Sequence, residues 1–191
     1  MNRKGFTLVE LIAMLVVLGV LMAIAIPNIS GIIKSNRESI GIEDINKMVG
    51  NANQKMETKK ARFPAINKCV VMSLRYINNN DDFKEGLNGG QYDEMESVIV
   101  ITKKKVAGSS VSSKYKYYIR LVEKKNSLTY VIDMVDYDVF TKNPEDYTSK
   151  ATNFTDADKF NLKTSTKSQV QSKINSKVSG LCSEVTEVYI K

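Results

Sequence analysis

The chain has 191 residues, 26% of them charged and 42% hydrophobic, which fits one folded domain with a modest core and demands no second. It holds no histidine and only two cysteines, Cys69 and Cys182. A Ser/His/Asp triad, a Cys/His pair, a His-containing zinc site and a four-thiolate zinc site within one chain are therefore excluded. The net charge of +7 is a mild excess, and its lysines are scattered among asparagine and serine without an arginine-rich stripe. That pattern disfavours nucleic acid as the primary partner.

The N-terminus begins with Met1-Asn2-Arg3-Lys4-Gly5, followed by Phe6-Thr7-Leu8-Val9-Glu10 and an unbroken non-polar run over residues 11–26. Residues 6–26 contain a single charge, Glu10. As a helix they extend about 31 Å, enough to cross a hydrocarbon core of about 30 Å. Arg3, Lys4 and the amino terminus stay cytoplasmic by the positive-inside rule, which places the chain after Pro27 outside. Three readings of the segment stand side by side. A secretory signal peptide fits the basic start and the small-x-small pattern Ala23-Ile24-Ala25, with cleavage after Ala25. Its apolar region would be shorter, about 7 to 15 residues, and free of a carboxylate. A plain single-pass anchor accounts for the length but leaves Glu10 without a purpose, although a lone carboxylate at the centre of a spanning helix costs about 2.5 to 3.5 kcal/mol.

The third reading rests on Lys4-Gly5-Phe6-Thr7-Leu8-Val9-Glu10-Leu11. This stretch resembles the processing site of type IV prepilins and of the pseudopilins of type II secretion. The shared features are a short basic leader, Gly before the cut, Phe as the new first residue, and Glu five positions into the mature chain. The resemblance covers residues 1–27, with Pro27 at a position where many members carry a helix-loosening proline. It implies that a membrane-embedded prepilin peptidase cleaves between Gly5 and Phe6 and methylates the freed amine of Phe6. Residues 1–5 are then a leader, 6–27 a transmembrane and polymerisation helix, and 28–191 an extracellular head.

The implied partners are other pilin subunits in a homo- or hetero-polymer, an inner-membrane assembly platform, and the membrane before assembly. Glu10 is expected to pair with the Phe6 amine of a neighbouring subunit and to set register. Gly19 and Pro27 are expected to kink or loosen the helix, since proline removes a backbone donor and clashes with the preceding turn. The expected product is a structural subunit of a type IV pilus, first a single-pass cell-membrane precursor and then part of an extracellular filament. A pseudopilin of type II secretion or a competence pilin for DNA uptake is the alternative within the same machinery. A secreted binding protein cut after Ala25 is the alternative of another class. Adhesion, motility, secretion and DNA uptake share this N-terminal chemistry.

Over residues 28–62 the helical pattern continues, with Ile29, Ile32, Ile33, Ile42, Ile45, Met48, Val49, Ala52 and Met56 forming an apolar stripe. Phe63-Pro64 predicts its stop. Residues 63–95 read as a helix-to-sheet connection. Within it, residues 66–77 suit either a strand, through Cys69-Val70-Val71-Met72, or a short helix, through Val70, Leu74 and Ile77; the helix is preferred. Residues 96–140 carry the strand signals. Residues 97–102 are a short apolar run, Tyr115, Tyr117, Ile119 and Leu121 alternate with polar neighbours, and Lys124-Lys125-Asn126-Ser127 reads as a hairpin turn. Leu128, Tyr130, Ile132 and Met134 then share a face before the apolar set shifts at Val135, as at a bulge or a strand end. Alternation puts Tyr115 and Tyr117 on a packed face.

The predicted fold is thus α+β: a long N-terminal helix on an antiparallel sheet of three to four strands, with the outer sheet face wet. Asp133, Asp136, Asp138, Glu145 and Asp146 read as a solvated acidic edge, with calcium as the alternative. No metal or cofactor site and no catalytic grouping stands out, so neither a cofactor nor enzyme activity is expected. Residues 141–191 open on a polar excursion, continue with a short helix over 168–178 stopped by Gly180, and end on a last strand containing Val185, Val188 and Ile190. Cys69 and Cys182 both fall outside the cell, where a disulfide is permitted. Closing about 110 residues, such a bond would contribute on the order of 4 to 5 kcal/mol.

Overall fold

The computed structural model describes residues 7–78, 82–83, 85–106, 108, 112–144 and 150–190, at 24–30, 34, 150 and 151 for the backbone alone. Helix α1 runs from Leu8 to Glu57. It contributes to both compact units of the chain, Met1–Arg37 and Glu38–Lys191, which are taken in turn.

In the first unit α1 is apolar on every side over residues 11–23, and from Leu8 to Met22 its large hydrophobic side chains are at least half exposed. Among the described residues no helix is long and apolar enough to cross a membrane. The apolar stretch with described side chains, residues 8–23, is only about 24 Å long, and the predicted span over 6–27 extends beyond it at both ends. α1 is continuous through Gly19 and Pro27, with Pro27 contributing no N–H to the helical ladder.

The second unit is built on a sheet ordered β6-β5-β4-β3-β1-β7, with β2 also pairing β4. The strands are β1 (Lys68–Ser73), β2 (Gln91–Tyr92), β3 (Val98–Lys105), β4 (Ser113–Lys125), β5 (Leu128–Asp136), β6 (Lys150–Thr152) and β7 (Glu184–Tyr189). Three short helices complete it: α2 (Leu74–Ile77), α3 (Tyr137–Phe140) and α4 (Lys167–Lys177). All pairings are antiparallel except that of β1 with β7. The sheet is therefore mixed and wider than the predicted antiparallel sheet of three to four strands.

One sheet face carries the stripe of α1. Ile45, Met48, Val49, Ala52 and Met56 pack with Val70, Met72, Ile99, Ile101, Ile119, Leu121, Ile132 and Val135. The other face is also covered. Val170 and Ile174 of α4, with Phe160, Leu162 and Leu181, pack on Val71, Val98, Val100, Met134 and Val185. The expectation of a wet outer face is thus corrected. Its physical cause lies in β1 and β3, whose apolar side chains run without alternation and are buried on both sides, as in strands sandwiched between helices.

Two further boundaries differ from the prediction. Residues 68–73, preferred as helix, form the strand between β3 and β7; only the four residues after the Ser73 cap are helical. α1 ends at Glu57 rather than near Arg62, because Lys59 takes the left-handed conformation, φ 59°, that closes a helix. The shift of the apolar set in β5 is a bulge. Leu121 pairs with Ile132 and Ile119 with Val135, so β5 accommodates one extra residue at Met134, φ 49°, which turns that side chain into the α4-side core.

Tyrosines fasten α1 to the sheet and to α3. Tyr117 donates to Asn53 Oδ1 at 2.7 Å, Tyr137 to Asn46 Oδ1 at 2.8 Å, and Tyr92 to Asp44 Oδ2 at 2.7 Å. Tyr115 and Tyr117 pack against the α1-side core, with Tyr117 satisfying its hydroxyl on the helix. The connection before β2 is held by the buried carboxylate of Glu123, which accepts from Asn88 N at 2.9 Å, Asn88 Nδ2 at 2.9 Å and Gly90 N at 2.7 Å. A Cβ at Gly90 would stand 2.4 Å from the Lys124 carbonyl oxygen, so this approach needs glycine.

The disulfide joins β1 to the segment before β7 across 113 positions, with Cα atoms 5.5 Å apart and both residues buried. Replacing Cys69 and Cys182 together by alanine is expected to lower unfolding free energy by about 4 to 5 kcal/mol in the chain-entropy account, read as a lower midpoint in urea. Burial pushes the Asp44 carboxyl above the usual carboxylate range, against the opposing hydrogen bond from Tyr92 and the charge of Lys47, while Glu43 and Glu123 add to the rise. A raised folded pKa means that stability is lost as pH climbs from the ordinary Asp value through the folded one. Asp44→Asn should therefore match the parent in acid and exceed it at neutral pH. Urea melts at the two pH values measure the difference, and an equal gain at both would contradict burial of a charged Asp44.

Candidate processing and assembly segment

The first turn of α1 is closed by its own side chains. Thr7 precedes the helix, and its backbone N–H and its hydroxyl both donate to Glu10 Oε2, at 2.8 and 2.9 Å. In return Glu10 N donates to Thr7 Oγ1 at 3.3 Å. This is a reciprocal capping box, in which the N-cap hydroxyl and the N3 carboxylate satisfy donors that a helix start leaves open. A negative side chain there also meets the positive end of the helix dipole.

From that turn Glu10, Ala13, Met14, Val17, Leu18 and Leu21 follow one another along a shallow strip of the helix surface. Their spacings of three and four place them on one face, with the carboxylate at the N-terminal end and only apolar or small side chains beyond. A second apolar helix can seat along such a strip, while the carboxylate offers it one charged contact at a fixed height. Gly19 adds no constraint of its own, since a Cβ there would meet nothing within 4 Å.

The predicted cleavage pair, Gly5 and Phe6, lies outside the described residues. Glu10 stands in the first turn, Gly19 and Pro27 lie within the continuous helix, and Cys69 and Cys182 are bonded to each other in the second unit. The acidic residues assigned to a solvated edge are tied to cations. Asp133 bonds Arg120 at 2.6 Å and Lys177 at 2.7 Å, Asp136 bonds Lys116 at 2.9 Å, and Asp138 meets Lys116 and Lys114 at 3.2 and 3.4 Å. Lys116, then Lys114, hold the Asp138 carboxyl below the usual range. Glu145 and Asp146 lie outside the described residues. Among the described residues no group of three or more His, Cys, Asp or Glu side chains could hold a metal ion.

Thr7 is the capping partner of Glu10, a role that the motif alone did not single out. Its signal was nonetheless present, because Thr7-Leu8-Val9-Glu10 has the T-x-x-E spacing of a capping box ahead of an apolar run.

Residues 1–26 match the family model described as the prokaryotic N-terminal methylation motif. This is the class III signal of type IV pilins and pseudopilins. The motif is consistent with a membrane-anchored precursor that is processed. Neither the curated proteins nor the solved structures yield a match to the chain.

Thr7→Ala removes the N-cap oxygen and is expected to destabilise the helix start by about 1 kcal/mol. In detergent micelles the amides of residues 8–11 should then exchange hydrogen faster by about fivefold, with the amides of β1 unchanged.

Proposed function

We propose that the chain is a structural subunit of a type IV pilus-like filament, without catalysis of its own, and that its N-terminal helix is both the membrane anchor of the precursor and the polymerisation element of the mature form. The motif over residues 1–26 carries this reading. It supports a type IV pilin-like or pseudopilin protein and implies, in general, processing by prepilin peptidase and association with other pilin subunits.

The residues supply a mechanism for the proposed cycle. Arg3 and Lys4 hold the precursor at the cytoplasmic face. Cleavage between Gly5 and Phe6 removes both cations and leaves an ammonium at Phe6, which N-methylation keeps as an amine. Glu10 is then the one acidic side chain of the apolar run, and the amine of a neighbouring subunit is its partner. Attraction between them is strong in a low-dielectric surrounding, and an unmatched charge is costly there. A subunit shifted along its neighbour leaves both charges unpaired, so the pair selects one register. The apolar strip from Ala13 to Leu21 supplies contact area, and the second unit is carried outside.

Two measurements test this. Mass spectrometry of the mature chain should find methylated Phe6 at the N-terminus; Ile26 at that position would identify a secretory signal peptide and end the filament reading. Glu10→Gln keeps a capping-box side chain at N3 but removes its charge. The proposal expects Glu10→Gln to be cut and methylated yet to enter filaments about as poorly as Glu10→Ala. Normal incorporation of Glu10→Gln, with loss only in Glu10→Ala, would reduce Glu10 to a helix cap.

A further inference from the structure

Where β3 leaves the cover of α1, the helix-side face of the sheet carries rings and cations that the sequence keeps far apart. Phe63 follows the end of α1 and is 49% exposed; its ring lies 5.3 Å from that of Tyr115, tilted by 37°. Lys103 pairs with Tyr115 across β3 and β4, and its Nζ stands 5.5 Å from the Tyr115 ring centroid. Ile66, 42% exposed, forms an isolated parallel β-bridge to Lys103. Lys105, two residues beyond Lys103 and so on the same face, is exposed. Arg62, beside Phe63, has an 84% exposed side chain whose acidic contact, Glu187, is only a loose 3.9 Å away.

The charges on the two faces of this hairpin are handled differently. On the α4 side Lys114 and Lys116 are ion-paired to Asp136 and Asp138, and Lys104 donates to the Leu181 carbonyl at 2.9 Å. On the α1 side, among the described residues, neither Lys103 nor Lys105 has an acidic partner within ion-pair distance. Two tilted rings that stay partly open to water, beside Lys103 and Lys105 without acidic partners and Arg62 with only the loose Glu187 contact, match a polymer that alternates flat rings with anionic links. Single-stranded nucleic acid is such a polymer, recognised by base stacking on aromatic rings beside a basic track. A duplex hides its base faces and would engage the cations alone.

We propose that Phe63 and Tyr115, with Arg62, Lys103 and Lys105, form a binding surface for single-stranded nucleic acid. This departs from the expectation drawn from composition. That expectation sought a basic stripe along the chain, whereas here the fold brings residues 62–66, 103–105 and 115 together. The surface lies wholly within the second unit and does not rest on the filament reading, so it is tested on unassembled chain.

The full-length chain in detergent micelles is titrated against fluorescein-labelled oligodeoxythymidylate of about 16 nucleotides, the upper site size of one single-strand-binding fold. The proposal expects saturable binding that weakens about fivefold or more in Phe63→Ala, as loss of one stacked base requires. Phe63 is half exposed, so its truncation leaves the core intact, and an unchanged urea midpoint verifies this. Replacing Lys103 and Lys105 by glutamine should lower the slope of log Kd against log salt by about 0.7 per lysine. Absence of saturable binding overturns the proposal, as does binding indifferent to Phe63→Ala. A duplex of the same length binding more tightly overturns it in favour of plain electrostatics, and heparin binding more tightly with the same Phe63 dependence assigns the surface to acidic glycans.

Discussion

Strand β1 has no face that tolerates water, and the second unit is organised around that constraint. Cys69 to Met72 are fully buried. Even-numbered Val70 and Met72 point into the core shared with α1, while Cys69 and Val71 point into the core shared with α4. A strand of this kind must have neighbours on both edges and a layer on each side. β3 and β7 supply the edges, α1 and α4 the layers. The disulfide then joins β1 to the chain that enters β7, so that the parallel pairing of these two strands, which comes from residues more than a hundred positions apart, is held by a covalent bond. Closing so long a loop costs entropy in the unlinked chain, and the bond removes most of that cost from the folding equilibrium.

The same two-sided covering buries charged side chains as well, Arg120 and Glu123 in β4 and Glu96 ahead of β3. Arg120, 1% exposed, faces the α4 side, where Asp133 takes one guanidinium nitrogen and the Asp158 carbonyl another, with the Phe160 ring 4.9 Å from its centre. Glu96 is buried nearby and accepts the backbone N–H groups of Phe160 and Asn161 at 2.6 and 3.1 Å. Glu123 does the equivalent for Asn88 and Gly90. In each case a buried polar side chain ties a connection to the sheet beside the apolar residues, Phe160 and Leu162 or Leu87, that the connection itself buries. Removing Asp133 takes the ionic partner from the buried Arg120 guanidinium, and removing Glu96 or Glu123 leaves buried N–H donors unpaired, at about 1 to 3 kcal/mol each. These charges act as fasteners for loops and need no catalytic role to explain their burial.

How much of this was legible in the sequence depended on whether the deciding signal was local. The stripe from Ile42 to Met56, the alternation of Tyr115 to Leu121, the bulge before Val135 and the helix at Val170 and Ile174 each depend on neighbours within a few residues, and each is found in the fold. β1 was not legible, because Val70, Leu74 and Ile77 also keep helical spacing and only the edges offered by β3 and β7 decide for a strand. The covering of the second face by α4 was missed for the same reason, although the unbroken apolar runs of β1 and β3 were its trace. At the N-terminus the motif is contiguous and was read directly, whereas the grouping of Phe63, Lys103 and Tyr115 exists only once the chain is folded.

Glu10 shows how one side chain can serve two stages of the proposed cycle without conflict. A carboxylate in hydrocarbon costs about 2.5 to 3.5 kcal/mol at the centre of a spanning helix. Placed instead in the first turn, it takes two hydrogen bonds from Thr7, and in the proposed precursor that position would fall near the interface, where the charge costs less. A cap satisfies hydrogen bonds but does not neutralise charge, and its own contribution is only about 1 kcal/mol. An ammonium arriving from a neighbouring subunit neutralises the charge directly. Moving Glu10 from its local donors to such a partner is therefore favourable wherever the surroundings are apolar, and the Thr7 box is weak enough to be surrendered. On the proposed reading the cap steadies the waiting subunit, and the same carboxylate then recognises the next one.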